Sequence, residues 1–205
     1  MPRPATWKPG AAGAAGVEVW RQRYKESVAR TDQDIKAIWD ALEDSGRLDR
    51  TILVVVADHG ESLDDHNELL HGDAYFEGVV RVPLVMRVPG LDGGKAVDAL
   101  VSQVDLAPTL LSLVGALPPA DIDGRSLVPL LTGESDEVRG TTLVEGGVTR
   151  QVGDIPRGAV ISPPWALLRQ DRGCGEAGGP PRKPGEPATC LFNLEEDPGQ
   201  TRNFA

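Results

Sequence analysis

Asp58 and His59 stand side by side at the end of an unbroken apolar run, Thr51-Ile52-Leu53-Val54-Val55-Val56-Ala57, and Gly60 follows at once. A carboxylate oxygen and a neutral imidazole nitrogen are both competent cation ligands, so this pair is a candidate for two positions of a metal site. Two ligands are too few by themselves, and the neighbouring residues do not obviously supply the others. His66 and His71 come soon after, so that all 3 histidines of the chain fall between Asp58 and Gly72. Packing alone explains such a concentration poorly. Two readings stay open at this point: a functional site, or exposed loop histidines beside a capping aspartate.

A rigid element has to aim these groups. The run Thr51 to Ala57 is largely β-branched and shows no alternation, the pattern of a strand covered on both faces. In open α/β sheets, sites gather at the carboxyl ends of strands, which is where Asp58 and His59 would lie. Neighbouring strand residues point to opposite faces, so both reach one ion only if the chain bends, and Gly60 is read as the residue that permits the bend.

Upstream, Trp20, Tyr24, Val28, Ile35, Ile38 and Leu42 recur at helical spacing and predict a helix from Val17 to Asp44, with Gly46 at its C-cap. Val82 to Val88 is a second strand, and Asp105 is placed to cap a helix that starts at Leu106-Ala107-Pro108 and stops at Gly115. Short strands are expected at Thr141 to Val144, Ala159 to Leu168 and Leu191 to Leu194, around a Gly/Pro-rich insertion at residues 171–189. The expected organisation is an irregular lead-in (1–16), an α/β part (17–135) and a small carboxyl-terminal β subdomain (136–205). Helix followed by buried strand predicts an α/β fold with a mostly parallel sheet flanked by helices.

Composition narrows the partners. The 205 residues carry a formal net charge of −10 and their Lys and Arg residues are scattered, which argues against a nucleic acid. The apolar runs fall far short of the ~20 residues that a membrane-spanning helix needs, so no membrane partner is expected. Met1-Pro2-Arg3-Pro4 lacks the apolar core of a secretory signal, and localisation stays open, because a full-length relative could still be exported. Cys174 and Cys190 do not form a CxxC pair; a disulfide across the insertion and two free thiols are both compatible with the sequence.

Several blocks together resemble the second half of a sulfatase of the alkaline-phosphatase superfamily. They are Ala57-Asp58-His59-Gly60-Glu61-Ser62-Leu63, His71-Gly72-Asp73-Ala74-Tyr75-Phe76-Glu77 and Arg81-Val82-Pro83-Leu84 with Pro89-Gly90. Val104-Asp105-Leu106-Ala107-Pro108-Thr109-Leu110-Leu111, Asp123-Gly124-Arg125-Ser126-Leu127 and the tail Leu191-Phe192-Asn193-Leu194 follow in the family's order. The resemblance implies a partial alkaline-phosphatase-like fold, with Asp58 and His59 as late metal ligands. The ion would be divalent, usually calcium, with magnesium, manganese or zinc as alternatives. His71 would contact the sulfate or the leaving-group oxygen, as general acid or electrostatic clamp. Glu61 and His66 are weaker candidates, read as loop residues that are either solvated or support the ligands. The substrate would be a sulfate ester, a small molecule or a glycan.

The family's chemistry also needs an earlier acidic pair and a formylglycine nucleophile made from a Cys or Ser in a Cys/Ser-x-Pro-x-Arg context. This sequence contains neither, so the chain by itself is expected to be inactive and the nucleophile to lie in a complementing amino-terminal half. Two other readings remain: a phosphoethanolamine transferase or phosphohydrolase of the same superfamily, and a non-catalytic remnant or partner subunit.

Overall fold

A computed structural model describes residues 13–67, 69–71, 75–145, 158–170, 174 and 188–205. Most of the insertion and residues 1–12 of the lead-in lie outside the described residues. The long helix is present as α1, Gly13–Asp44, which starts within the segment read as irregular. Ala14 and Ala15 carry the helix backwards, since alanine is the strongest helix former. Gly46 ends it with φ +64°, a left-handed conformation in which a side chain would be strained.

Strand β1, Leu53–Val56, follows a 3-10 turn at Leu48–Arg50. The short strands β2, Ser62–Leu63, and β3, Leu69–Leu70, pair with each other, and the one-turn helix α2, Glu77–Val80, leads into β4, Leu84–Arg87. The α/β class holds, but β1 and β4 pair antiparallel, with Val54 opposite Met86 and Val56 opposite Leu84. Parallel neighbours were expected. A parallel pair needs a crossover, usually a full helix, and the described residues between β1 and β4 instead form the short β2–β3 pair, loops and a single helical turn. Nor is β1 covered on both faces: Leu53, Val54 and Val55 are half-buried and Val56 is exposed.

Helix α3, Leu106–Leu113, continues directly from a 3-10 turn at Gln103–Asp105, and α4, Val128–Thr132, follows. Asp105 does not cap α3. Its own backbone is helical, so the unpaired N–H groups begin a turn earlier, where Ser102 and Asp105 form a capping box. The fully buried Asp105 carboxylate also accepts the backbone N–H of Arg125 at 2.7 Å and pairs with the Arg139 guanidinium. Gly124 allows this turn to close, because a Cβ there would lie 1.9 Å from the Val104 carbonyl oxygen.

The carboxyl-terminal residues form a four-stranded antiparallel sheet in sequence order: β5, Thr142–Glu145; β6, Gly158–Ser162; β7, Trp165–Gln170; β8, Ala188–Asn193. The strand expected over Ala159 to Leu168 is a hairpin that turns at Pro163-Pro164, since proline donates nothing to a ladder. Along β7, Ala166, Leu168 and Gln170 are buried and Trp165, Leu167 and Arg169 exposed, the alternation of a sheet with one covered face. Cys174 and Cys190 form a disulfide that fastens the insertion to β8. The buried cluster comprises residues of β6–β8 and Cys174 together with Tyr75 and Phe76, which is how this sheet supports the segment after His71.

Candidate active site

The end of β1 is held from two sides. Gln103 donates through Nε2 to the carbonyls of Ala57, at 2.7 Å, and Asp58, at 2.9 Å. On the other side Gly60 N–H donates to the Val79 carbonyl at 2.7 Å, and a Cβ on residue 60 would fall 2.1 Å from the Gly78 carbonyl oxygen. Gly60 is therefore required by close approach of two backbones, not by a left-handed bend; its φ is not among the positive ones. The segment after His71 is fixed as firmly, with Tyr75 N–H donating to Gln170 Oε1 at 3.0 Å and Glu77 N–H to Gln200 Oε1 at 2.6 Å.

These restraints bring Asp58, His59 and His71 onto one open concave surface. The Asp58 side chain is 88% exposed, and its Oδ2 lies 3.7 Å from His59 Nε2. His59 Nδ1 sits 2.9 Å from the Gly60 carbonyl. A carbonyl oxygen can only accept, so Nδ1 is the donor, and the tautomer in which Nδ1 alone carries a proton leaves the Nε2 lone pair on the Asp58 side. The His71 ring lies 4.0 Å from the His59 ring, centroid to centroid, at an interplanar angle of 36°.

Glu61 reaches His71 from behind, with Oε1 3.5 Å from Nδ1. That oxygen is buried and makes no hydrogen bond among the described residues, and the His71 ring nitrogen is the group that faces it at ion-pair distance. His66 goes elsewhere: its ring stacks on Phe76, 3.7 Å apart and inclined by 13°. Arg81 pairs with Glu77 at 3.6 Å on the surface. Gln103, Gln170 and Gln200, which anchor the site's backbone, escaped the sequence reading. Gln103 alone had a signal, since it adjoins the block beginning at Val104; an isolated glutamine has none.

A divalent cation fits part of this arrangement. Donor atoms 3.7 Å apart can share one ion bound at about 2.0–2.6 Å from each, and the tautomer of His59 presents the required lone pair. The described residues supply no group of three or more His, Cys, Asp or Glu side chains able to complete a shell. Asp58 and His59 account for two donors and no more.

The succession of sequence blocks agrees with known proteins. The family model described as Sulfatase matches residues 13–116. The chain belongs to the sulfatase family. Arylsulfatase K of Xenopus laevis is 37% identical over 117 residues, which are 57% of this chain and 22% of that protein. The Delta 4,5-hexuronate-2-O-sulfatase of Bacteroides thetaiotaomicron is 29% identical over 189 residues, 90% of this chain and 36% of the relative. Among solved structures, the phosphonate monoester hydrolase of Agrobacterium radiobacter superposes with a TM-score of 0.75 at 26% identity, covering 92% of this chain and 37% of the other. A 2-O GAG sulfatase superposes at 0.71 with 26% identity, covering 85% and 36%. This sulfatase-family chain spans 22–37% of the length of these proteins.

Proposed function

We propose that this chain contributes Asp58, His59 and His71 to the active site of a sulfuric-ester hydrolase that acts on a sulfated glycan. The observation that carries the reading is the meeting of these three side chains at the end of β1, within the residues that match the sulfatase family. Asp58 and His59 would hold a divalent cation, calcium first, whose chemistry is to neutralise charge on the bound ester. His71, braced by Glu61, would face the sulfate or the leaving-group oxygen and give it a proton or a positive charge. The formylglycine nucleophile and the remaining acidic ligands would come from polypeptide outside these 205 residues, a complementing amino-terminal half. The glycan preference follows from relatives named as a hexuronate 2-O-sulfatase and a GAG sulfatase.

The test is hydrolysis of an aryl sulfate and of a 2-O-sulfated disaccharide, by the isolated chain and by an assembly that includes the nucleophile-bearing half. Turnover is expected in the assembly alone, and His71→Ala is expected to lower kcat by roughly 10²–10⁴-fold. Calcium-dependent turnover by the isolated 205 residues would overturn the divided site. A second reading, a phosphohydrolase, draws on the likeness to the phosphonate monoester hydrolase. A higher kcat/KM on phosphonate monoesters than on sulfate esters, with zinc bound, would favour it.

A further inference from the structure

We propose that Gln103 is a positioning residue for the Asp58–His59 pair, acting by fixing the two peptide groups on either side of Asp58. This rests on the functional reading above, in which the pair holds a divalent cation, and adds to it the residue that sets the pair's geometry.

One side-chain amide reaches both peptide groups. Gln103 Nε2 donates to the Ala57 carbonyl at 2.7 Å and to the Asp58 carbonyl at 2.9 Å. A primary amide nitrogen carries two hydrogens, so both are used, and because a carbonyl only accepts, the NH2 end faces the strand. The Ala57 carbonyl belongs to the peptide group that enters Asp58, and the Asp58 carbonyl to the one that leaves it. Each group is planar, so tying both carbonyls to one nitrogen restricts the two backbone dihedral angles of Asp58.

The second peptide group is held at its other end as well. His59 N–H donates to Asp58 Oδ1 at 3.0 Å. That bond turns Oδ1 to the backbone and leaves Oδ2 facing His59 Nε2, 3.7 Å away. The Asp58 side chain is almost fully exposed, so no packing sets its direction and the backbone must. The spacing of the two candidate donor atoms therefore follows from the plane of one peptide group, and Gln103 holds the carbonyl of that group.

A buried group fixes Gln103 in turn. Gln103 opens the 3-10 turn that Asp105 closes, with Asp105 N–H donating to the Ser102 carbonyl at 2.9 Å and Ser102 N–H to Asp105 Oδ2 at 2.8 Å. The Asp105 side chain is fully buried, where Arg125 N–H and the Arg139 guanidinium bind it. Gln103 itself is exposed, so its side chain adds direction to the strand end and little to the core.

The experiment compares the 205-residue chain with its Gln103→Met and Val104→Ala variants by nuclear magnetic resonance. Methionine keeps an unbranched side chain and removes both donors, whereas Val104, 51% exposed in the same turn, can be shortened with the amide in place. One readout is the three-bond HN–Hα coupling of Asp58 and of His59, which reports φ without any metal. The other is the manganese(II) concentration that half-broadens the His59 ring signals. In Gln103→Met both couplings are expected to move toward averaged values and that concentration to rise about tenfold or more, the usual loss when a group that orients a metal ligand is removed. Amide shifts of β5–β8 should stay in place, and Val104→Ala should match the unsubstituted chain throughout. Unchanged couplings or an unchanged manganese response in Gln103→Met would overturn the proposal, as would a change that spreads to β5–β8 or that Val104→Ala reproduces. An unsubstituted chain whose His59 signals ignore manganese would remove the cation-holding function, and the couplings would still decide whether Gln103 positions the pair.

Discussion

The β5–β8 sheet and the β1–β4 pair are built from similar residues and differ in what covers them. In the carboxyl-terminal sheet Leu168, Cys190 and Phe192 are fully buried, and Tyr75 and Phe76 close the cluster. In the β1–β4 pair Val56 and Val85 remain exposed although the valine run is the most apolar stretch of the family-matched region. One region completes its own core, and the other, among the described residues, does not. The candidate site lies between them, with Asp58 and His59 on the open element and the His71 segment anchored to the closed one.

Truncating each region should separate them most sharply. Phe192→Ala is expected to cost about 3–5 kcal/mol, as for other large buried aromatics, whereas Val85→Thr at a largely exposed position should stay within about 0.5 kcal/mol. Denaturant unfolding measures both, and equal losses would break the contrast. Next in size, removing the Cys174–Cys190 bond by a double serine substitution should cost about 2–4 kcal/mol, because the bond closes a loop of sequence separation 16. The loss should appear in the thermal transition of the closed sheet, with no change in hydrogen exchange at β1.

Gly60→Ala acts at the junction. Its Cβ would meet the Gly78 carbonyl oxygen, and such overpacking costs about 1–3 kcal/mol. Loss of the nuclear Overhauser contacts between the His59 and His71 rings would accompany it; unchanged contacts would show that the close approach does not position the pair.

The smallest effect is expected from pH at the tail. Partial burial pushes Asp197 upward, but hydrogen bonds from the backbone N–H of Arg202 and from Thr201 outweigh it and hold the carboxyl below its ordinary value. A depressed folded value means that its contribution is present above the unfolded pKa of about 3.9 and is lost as pH falls through the folded one. Asp197→Asn should therefore lower stability slightly in the neutral region and flatten the acid limb, the two proteins converging as pH falls through the folded value. An identical acid limb in the variant would remove Asp197 from the account.

Helix α1, both strands of the open pair and the start of α3 were legible because hydrophobic period and glycine punctuation are local signals. Orientation was not. Whether β4 runs with or against β1 depends on how residues 57–83 return, and short loop elements carry no periodic mark. The hairpin at Pro163-Pro164 was read as one strand because both arms are apolar.

By itself the sequence determined the α/β class, the sulfatase resemblance and the cluster of Asp58, His59, His66 and His71, since residue type and spacing carry those directly. Tertiary structure decided how that cluster divides. His66 turns onto Phe76, Glu61 backs His71, and Gln103 with Gly60 sets the direction of the strand end. These are contacts between residues far apart in the chain or across a turn, and distance in space is not written in local pattern.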